Sequence, residues 1–460
     1  MVPRFNSKGE PQTEYAYQIP EKIEGDWDIS SLEKEDVDSG KIFNLIQDIL
    51  AGNYPNTHSV LLVKNGKLIL EEYFYGTKRD DLHYLASATK SITSILIGIS
   101  LDENLISDVD QNVSDWFSDY QNTKWISQRY NITIKHLLSM TSGIEWDENR
   151  SASDPRHDYF AMRRGGDWIK YVFNKNLVAP PGQKFNYNGG LSALLGEIVK
   201  RASGINADKF SEKYLFDPVG ISHYSWLKYN NGSINTGGGL LLRSRDMAKI
   251  GQIVLSNGKF KDKRIISEQW IIESTKNQVL EKAHPLGSGY GYQWWLGEIL
   301  INGEKIKTIF AQGRGGQCIF VIPKAKAIAV VTSQLINNSG GFFRPQVMMT
   351  EYIIPALFPH ASLTKKLTVD PAILKKYVGR YEDKWFHFKT SVTIKDNKLI
   401  IVPRGFGGEI ELFPTSETTF HGRLENIGNI EVCFSKDENE NIDYLKMRIG
   451  FTHMLFDKIK

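Results

Sequence analysis

Apolar residues at Ile42, Phe43, Leu45, Ile46, Ile49 and Leu50 recur at helical spacing and stop at Gly52, so a helix is expected just before residue 52. The next stretch, THSVLLVKNGKLILEEYFYG, holds two β-rich runs joined by Asn65-Gly66, the dipeptide that favours a tight hairpin. Ile92, Ile95, Leu96 and Ile99 then fall on one face of a helix over 87–100, and residues 90–285 mix helical segments with loops. Within them, 243–258 reads as an amphipathic helix with Asp246 in its first turn and Gly258 beyond its end. Strand character returns at GYQWWLGEIL, KTIFAQG and QCIFVIPKAKAIAVVTSQ. The last forms a hairpin around Pro323-Lys324, whose strands rejoin the sheet begun at 58–75, and 340–358 reads as a closing helix. These elements predict an α+β or α/β domain with an antiparallel sheet over 37–358, preceded by an extended arm at 1–36. Residues 359–372 read as a linker. Strand-length runs and turn signals from 373 to 460 then predict a small barrel or sandwich of roughly 90 residues.

Composition narrows the function classes. The chain has 460 residues, long enough for more than one core. Its 56 basic and 53 acidic side chains nearly cancel, which argues against a nucleic-acid groove or a membrane-binding surface. No apolar run approaches the ~18–20 residues of a membrane span. The N-terminus lacks the apolar centre of a signal peptide, which leaves a cytoplasmic start or a mature exported form; a periplasmic or secreted form is expected. Cys318 and Cys433 cannot build a metal spacing, and they fall in different expected domains, so both are read as buried thiols and no disulfide is expected.

Chemistry enters at Ser87-x-x-Lys90, where a hydroxyl and an amine stand one turn apart at the start of the helix. On this spacing alone Ser87 reads first as a helix cap with Lys90 solvated, since caps are commoner than nucleophiles, and otherwise as a nucleophile whose proton Lys90 accepts once burial lowers its affinity for it. Tyr187-Asn188, followed by two glycines and an amphipathic helix, offers a phenol for proton relay or a packed loop ring. Three glycines in FAQGRGGQCIFVIP precede an apolar strand, which suits an oxyanion donor, a bulge or a phosphate nest. No Walker-type Gly-Lys-Ser/Thr follows to support the nest. His136, beside Leu137 and Leu138, reads as structural. Trp146, Tyr292, Trp294 and Trp295 read either as the wall of an acyl pocket or as core, and the acidic loop at 147–158 as solvated.

Taken in order, these motifs resemble the serine β-lactamase and penicillin-binding-protein family, nearest to class C β-lactamases and the related esterases and 6-aminohexanoate-dimer hydrolases. The likeness extends over 40–358 through IKHLLSMTSGIEWDE, TGGGLLLRSRDMAKIGQIVLSNGKF, GYGYQWWL and FVIPKAKAIAVVT. It implies a β-lactamase-like fold and a cofactor-independent, metal-free serine hydrolase that cleaves an ester or amide of a small molecule or peptide through an acyl-enzyme. Ser87 would be acylated, Lys90 would take its proton, and Tyr187 would assist. The backbone N–H groups of Ser87 and Gln317 would form the oxyanion hole. Asn188, Arg314, Gly315, Gly316 and Trp146 would contact substrate. Asn188 stands directly after Tyr187 where the family has Tyr-x-Asn, and Arg314-Gly315-Gly316 replaces Lys-Thr-Gly or His-x-Gly; both changes weigh against an efficient β-lactamase. The alternatives are a D-amino-acid peptidase, penicillin-binding protein or weak β-lactamase, and a non-catalytic sensor or binder. The C-terminal module, through ILKKYVGRYE, resembles the small lipocalin-like barrel of some relatives, where it can cover the cleft or mediate assembly; a homo-oligomer is therefore among the partners the resemblance allows.

Overall fold

The computed structural model describes residues 15–148, 150, 154–279, 289–301, 304–334, 340–359, 369–383, 388–403, 408–424, 428–437 and 441–459. The first fourteen residues of the expected arm and most of the expected linker lie outside them.

The first predicted helix is α1, Ser39–Leu50. The Asp38 carboxylate starts it by accepting from the Gly40 and Lys41 amides at 2.9 and 3.2 Å. Its buried stripe is Ile42, Leu45, Ile46, Ile49 and Leu50. Phe43 lies off that stripe, 43% exposed, with its ring against Tyr15.

The main sheet contains β1 (Asp28–Ile29), β2 (Thr57–Lys64), β3 (Lys67–Tyr73), β4 (Gly289–Tyr290), β5 (Trp295–Ile301), β6 (Glu304–Gly313), β7 (Gln317–Ile322) and β8 (Ala327–Ser333). Their spatial order is β1-β3-β2-β8-β7-β6-β5-β4, and every pairing except β1 with β3 is antiparallel. Asn65 and Gly66, at φ 51° and 75°, make the expected two-residue turn, because both central positions of that turn need positive φ. The Pro323 hairpin returns β8 to β2, with Val330 opposite Leu61. The first half of the chain thereby closes against the second.

Three helices position the chemistry on this sheet: α2 (Thr89–Asp102), α3 (Gly189–Ser203) and α4 (Ser244–Leu255). α4 packs on β7 and β8, with Gly251 fitted against Ile319 and Ile328. α2 is buried on nearly every side, its Ser and Thr side chains included, and not on the Ile92–Ile99 face alone. A small sheet of His83–Tyr84, Tyr224–Trp226 and Leu240–Leu242 was not anticipated; two- and three-residue strands are too short for a period to show. The closing helix runs as α5 (Gly340–Met348), then a wider π turn at Met349–Ile353, then Ile354–Leu357.

The C-terminal module is a closed barrel of eight antiparallel strands from Gly379–Asp383 to Thr452–Ile459, so each strand has two neighbours and the barrel has no free edge. Its interior is filled by Tyr377, Tyr381, Phe420, Phe434, Met447, Met454 and aliphatic partners.

Gly98 in α2 faces the indole of Trp270, where an added Cβ would overlap the ring. Gly98→Val is therefore expected to destabilise the protein by about 1–3 kcal/mol, the usual effect of overpacking, read as a lower Tm.

Candidate active site

Ser87 lies in a short 3-10 turn, Ala86–Ala88, between the strand His83–Tyr84 and α2. The caps of the turn and of α2 are Leu85 and Ala88, so the Ser87 hydroxyl is not a helix cap. Ala86 adopts φ 46°, a conformation that a residue with a Cβ avoids unless its surroundings impose it. The surroundings do impose it. On one side the Leu85 amide bonds the Leu240 carbonyl at 2.9 Å. On the other, β6 comes so close that a side chain on Gly313 would collide with the Leu85 carbonyl. The turn is clamped, and Ser87 stays partly exposed at its apex.

Lys90, one turn on, is 2% exposed. Its Nζ donates to Ser87 Oγ at 3.0 Å and to the Gly237 carbonyl at 2.5 Å. The rings of Tyr187 and Tyr159 lie 5.1 and 5.6 Å away. Burial lowers the Lys90 pKa to about 8, and the Glu148 carboxylate opposes part of that shift. A larger share of such amines is neutral near pH 7.5 than of ordinary lysines, and the residue is buried. The solvated reading of Lys90 is thereby excluded.

Tyr187 comes from the loop before α3. Its ring lies 5.1 Å from the Lys90 amine and stacks on Trp295 at 5.6 Å and 19°, and its phenol is near enough to Ser87 for the serine side chain to oppose part of the rise in its pKa. Burial, then the Glu148 charge, push the phenol well above its ordinary range, so it stays protonated and can pass a proton on. The amine and the phenol thus come together beside one hydroxyl, although 97 positions separate residues 90 and 187.

Two of the anticipated substrate contacts are placed differently. Asn188 is the cap of α3: its Oδ1 accepts from the Gly190 and Leu191 amides at 2.8 and 3.2 Å, and the residue is 1% exposed. Its Oδ1 is committed to the helix, and its Nδ2 is buried without a hydrogen-bond partner. Trp146 is also buried, with its indole N–H on Glu148 Oε1 at 2.7 Å and its ring edge against Gly190. Tyr292 and Trp294 are core, while Trp295 backs Tyr187. His136 is structural, as expected: its Nδ1 accepts from the Thr133 amide at 3.1 Å in a capping box. Both cysteines are free, Cys318 buried and Cys433 half-buried.

Arg314 is exposed on the turn between β6 and β7, its guanidinium 5.9 Å from the Phe160 ring. Gly315 and Gly316 make that turn at φ 94° and 98°. Gln317 opens β7 opposite Gly313, and its side chain is bound to the backbone of Ser333 by both amide atoms. The Gly313–Gln317 backbone therefore lies alongside the turn that carries Ser87.

Sequence reasoning missed three members of this cluster. Glu148 accepts from the Gly189 amide at 2.5 Å as well as from Trp146. Tyr159 donates to Asn235 Oδ1 at 3.0 Å. Gly237 supplies the carbonyl that holds Lys90. The one available signal was Thr236-Gly237-Gly238-Gly239: Gly237 and Gly238 lie where a side chain would meet the Gly189 carbonyl or the Tyr159 hydroxyl and Ala86. Among the described residues no group of three His, Cys, Asp or Glu could hold a metal, and no helix is long and apolar enough to cross a membrane.

Comparison with known proteins places this geometry in context. The family model described as Beta-lactamase matches residues 44–344, and one described as a domain of unknown function, DUF3471, matches 363–458. A 6-aminohexanoate-dimer hydrolase of Paenarthrobacter ureafaciens is 24% identical over 294 residues, which cover 60% of this chain and 72% of that protein. Protein flp of Staphylococcus aureus is 29% identical over 198 residues, 40% of this chain and 38% of its own length. The octameric penicillin-binding protein homologue from Pyrococcus abyssi superposes with a TM-score of 0.53 at 20% identity, covering 91% of this chain and 100% of that one.

Removing the cap of α3 tests the reassignment of Asn188. Asn188→Ala is expected to cost about 1 kcal/mol of stability in denaturant unfolding, and Asn188→Asp, which keeps the accepting oxygen, to restore most of it.

Proposed function

The chain belongs to the Beta-lactamase family, and on that premise we propose that it is a serine hydrolase that cleaves an ester or amide through an acyl-enzyme on Ser87. The single observation that carries this reading is the buried Lys90 amine 3.0 Å from Ser87 Oγ. Neutral Lys90 takes the Ser87 proton as Oγ attacks the substrate carbonyl carbon. The negative oxygen that forms is held by the Ser87 and Gln317 backbone N–H groups. When the intermediate collapses, the carbon–leaving-group bond breaks, and the proton held by Lys90 passes through the Tyr187 hydroxyl to the leaving oxygen or nitrogen. Water then adds to the acyl carbon by the same proton route in reverse, releasing the carboxylic acid and free Ser87.

The Tyr187-Asn188-Gly189 order weighs against an efficient β-lactamase, because Asn188 stands one place earlier than in the family's Tyr-x-Asn and its Oδ1 is committed to the cap of α3. The intact Lys90–Ser87–Tyr187 cluster weighs against a non-catalytic binder. The first substrates to examine are p-nitrophenyl acyl esters and, because a curated relative is a 6-aminohexanoate-dimer hydrolase, linear amides of amino acids.

Ser87→Ala is expected to lower ester turnover by several orders of magnitude, and a fluorophosphonate should add to Ser87 in the parent protein alone, read by intact mass. Undiminished turnover by the variant would refute the reading.

The pH profile has a defined sign. The proton acceptor works as the neutral amine, so kcat/KM should rise with pH through about 8 and level off above it. Glu148→Gln removes the carboxylate that favours the ammonium, so the inflection should move below 8. A profile centred near the ordinary lysine pKa would overturn the lowering of the Lys90 pKa by burial.

A further inference from the structure

β6 has two faces with different tasks, because successive side chains of a strand point to opposite sides. Gly313 lies on the face that meets the Ser87 turn. Phe310 and Gln312, on the other face, meet the C-terminal barrel. Phe451, in the barrel's last tight turn, stacks on Phe310 with ring centroids 5.5 Å apart, and lies 6.1 Å from Phe320 of β7. It also fills the space that a side chain on Gly297 of β5 would need. Phe451 is fully buried and belongs to the hydrolase-domain core, whereas Phe343 and Val347 of α5 pack into the barrel core. Each domain thus contributes side chains to the other's interior.

One buried side chain joins the two in a polar chain. Gln346 of α5 is fully buried. Its Oε1 accepts from the Phe451 amide at 2.9 Å and from Thr452 Oγ1 at 3.0 Å, and its Nε2 donates to Gln312 Oε1 at 2.8 Å. The Phe451 N–H can only donate, which fixes the orientation of the carboxamide and leaves the –NH₂ for Gln312. Gln312 is the residue before the Gly313–Gln317 turn. Glu351 adds a second tie, accepting from the Asn429 amide at 2.5 Å beside Arg423.

We propose that the C-terminal barrel is a buttress for the catalytic sheet, with Gln346 and Phe451 as positioning residues that hold the end of β6, and with it the oxyanion-side turn, against Ser87. The barrel's contribution then lies within its own chain. This rests on the proposed role of the Gln317 N–H. Removing the central member of this buried polar chain takes the Gln346 acceptor from the Phe451 amide and the Gln346 donor from Gln312. The end of β6 is then free to shift, and small displacements of oxyanion donors reduce the chemical step more than binding.

The test uses the full chain. Gln346→Leu is expected to lower kcat for a p-nitrophenyl ester about tenfold with KM within about twofold, and to leave the pH inflection in place, because Lys90 is untouched. Hydrogen exchange should rise several-fold at the amides of 310–319 and 85–91 and stay unchanged in the 57–73 hairpin. Gln312→Leu should give the same loss, and the double variant no more than either single one, since both break one chain. Phe451→Leu, which keeps an apolar plug, should show the same exchange pattern more weakly. Parent-like kcat and parent-like exchange in folded Gln346→Leu would overturn the proposal. If the parent has no Ser87-dependent turnover, the hydrolase reading fails instead, and the exchange pattern alone decides whether the barrel holds the turn.

Discussion

A lysine amine held out of water beside a serine hydroxyl is the constraint around which this molecule is built. Lys90 has one hydroxyl and one carbonyl as partners and two aromatic rings as walls, and Glu148 is the carboxylate whose charge reaches it. Leaving such a group fully charged in that environment is unfavourable, and the protein relieves this by lowering its proton affinity. Relief and reactivity are then the same property: the amine that burial makes less basic is the one able to accept the Ser87 proton near neutral pH. The glycines of 236–239 follow from this constraint, since the backbone must come within hydrogen-bonding distance of Nζ with no side chain in between.

The fold was legible where sequence neighbours decide it. Asn65-Gly66 predicted its hairpin, because the turn's φ requirement is local and Asn and Gly meet it. The 243–258 helix and the Pro323 hairpin were legible for the same reason, as periodicity and turn chemistry sit in adjacent residues. Phe43 was misplaced because its spacing alone does not say where the buried stripe ends. The number and closure of the barrel strands were not legible, since closure depends on pairing the first strand with the last.

The site was legible in part and for a different reason. Ser87 and Lys90 share one helical turn, so their proximity can be read from spacing alone. Tyr187 could be brought to them only through likeness to a family, because nothing in residues 90–187 encodes that contact locally. The same likeness gave no hint of the capping role of Asn188. Two glycines after it open a helix, and a helix start uses a side-chain oxygen as its cap. Glu148 and Tyr159 carry no motif, and their places are set by the start of α3 and, for Tyr159, the loop at 235–238.

The strain at Ala86 connects these levels. A non-glycine residue at positive φ persists only where neighbours over-determine it, and here the clamp has two jaws from distant parts of the chain. One jaw is the Leu240 carbonyl, continuous with the glycines that hold Lys90. The other is the end of β6, continuous through Gln312 and Gln346 with the barrel. Loosening either jaw lets the turn relax toward an ordinary helix start, where the serine would become the cap that its sequence position first suggested. The exposure of Ser87 is therefore a tertiary property, and the residues that maintain it are more numerous than those that touch its hydroxyl.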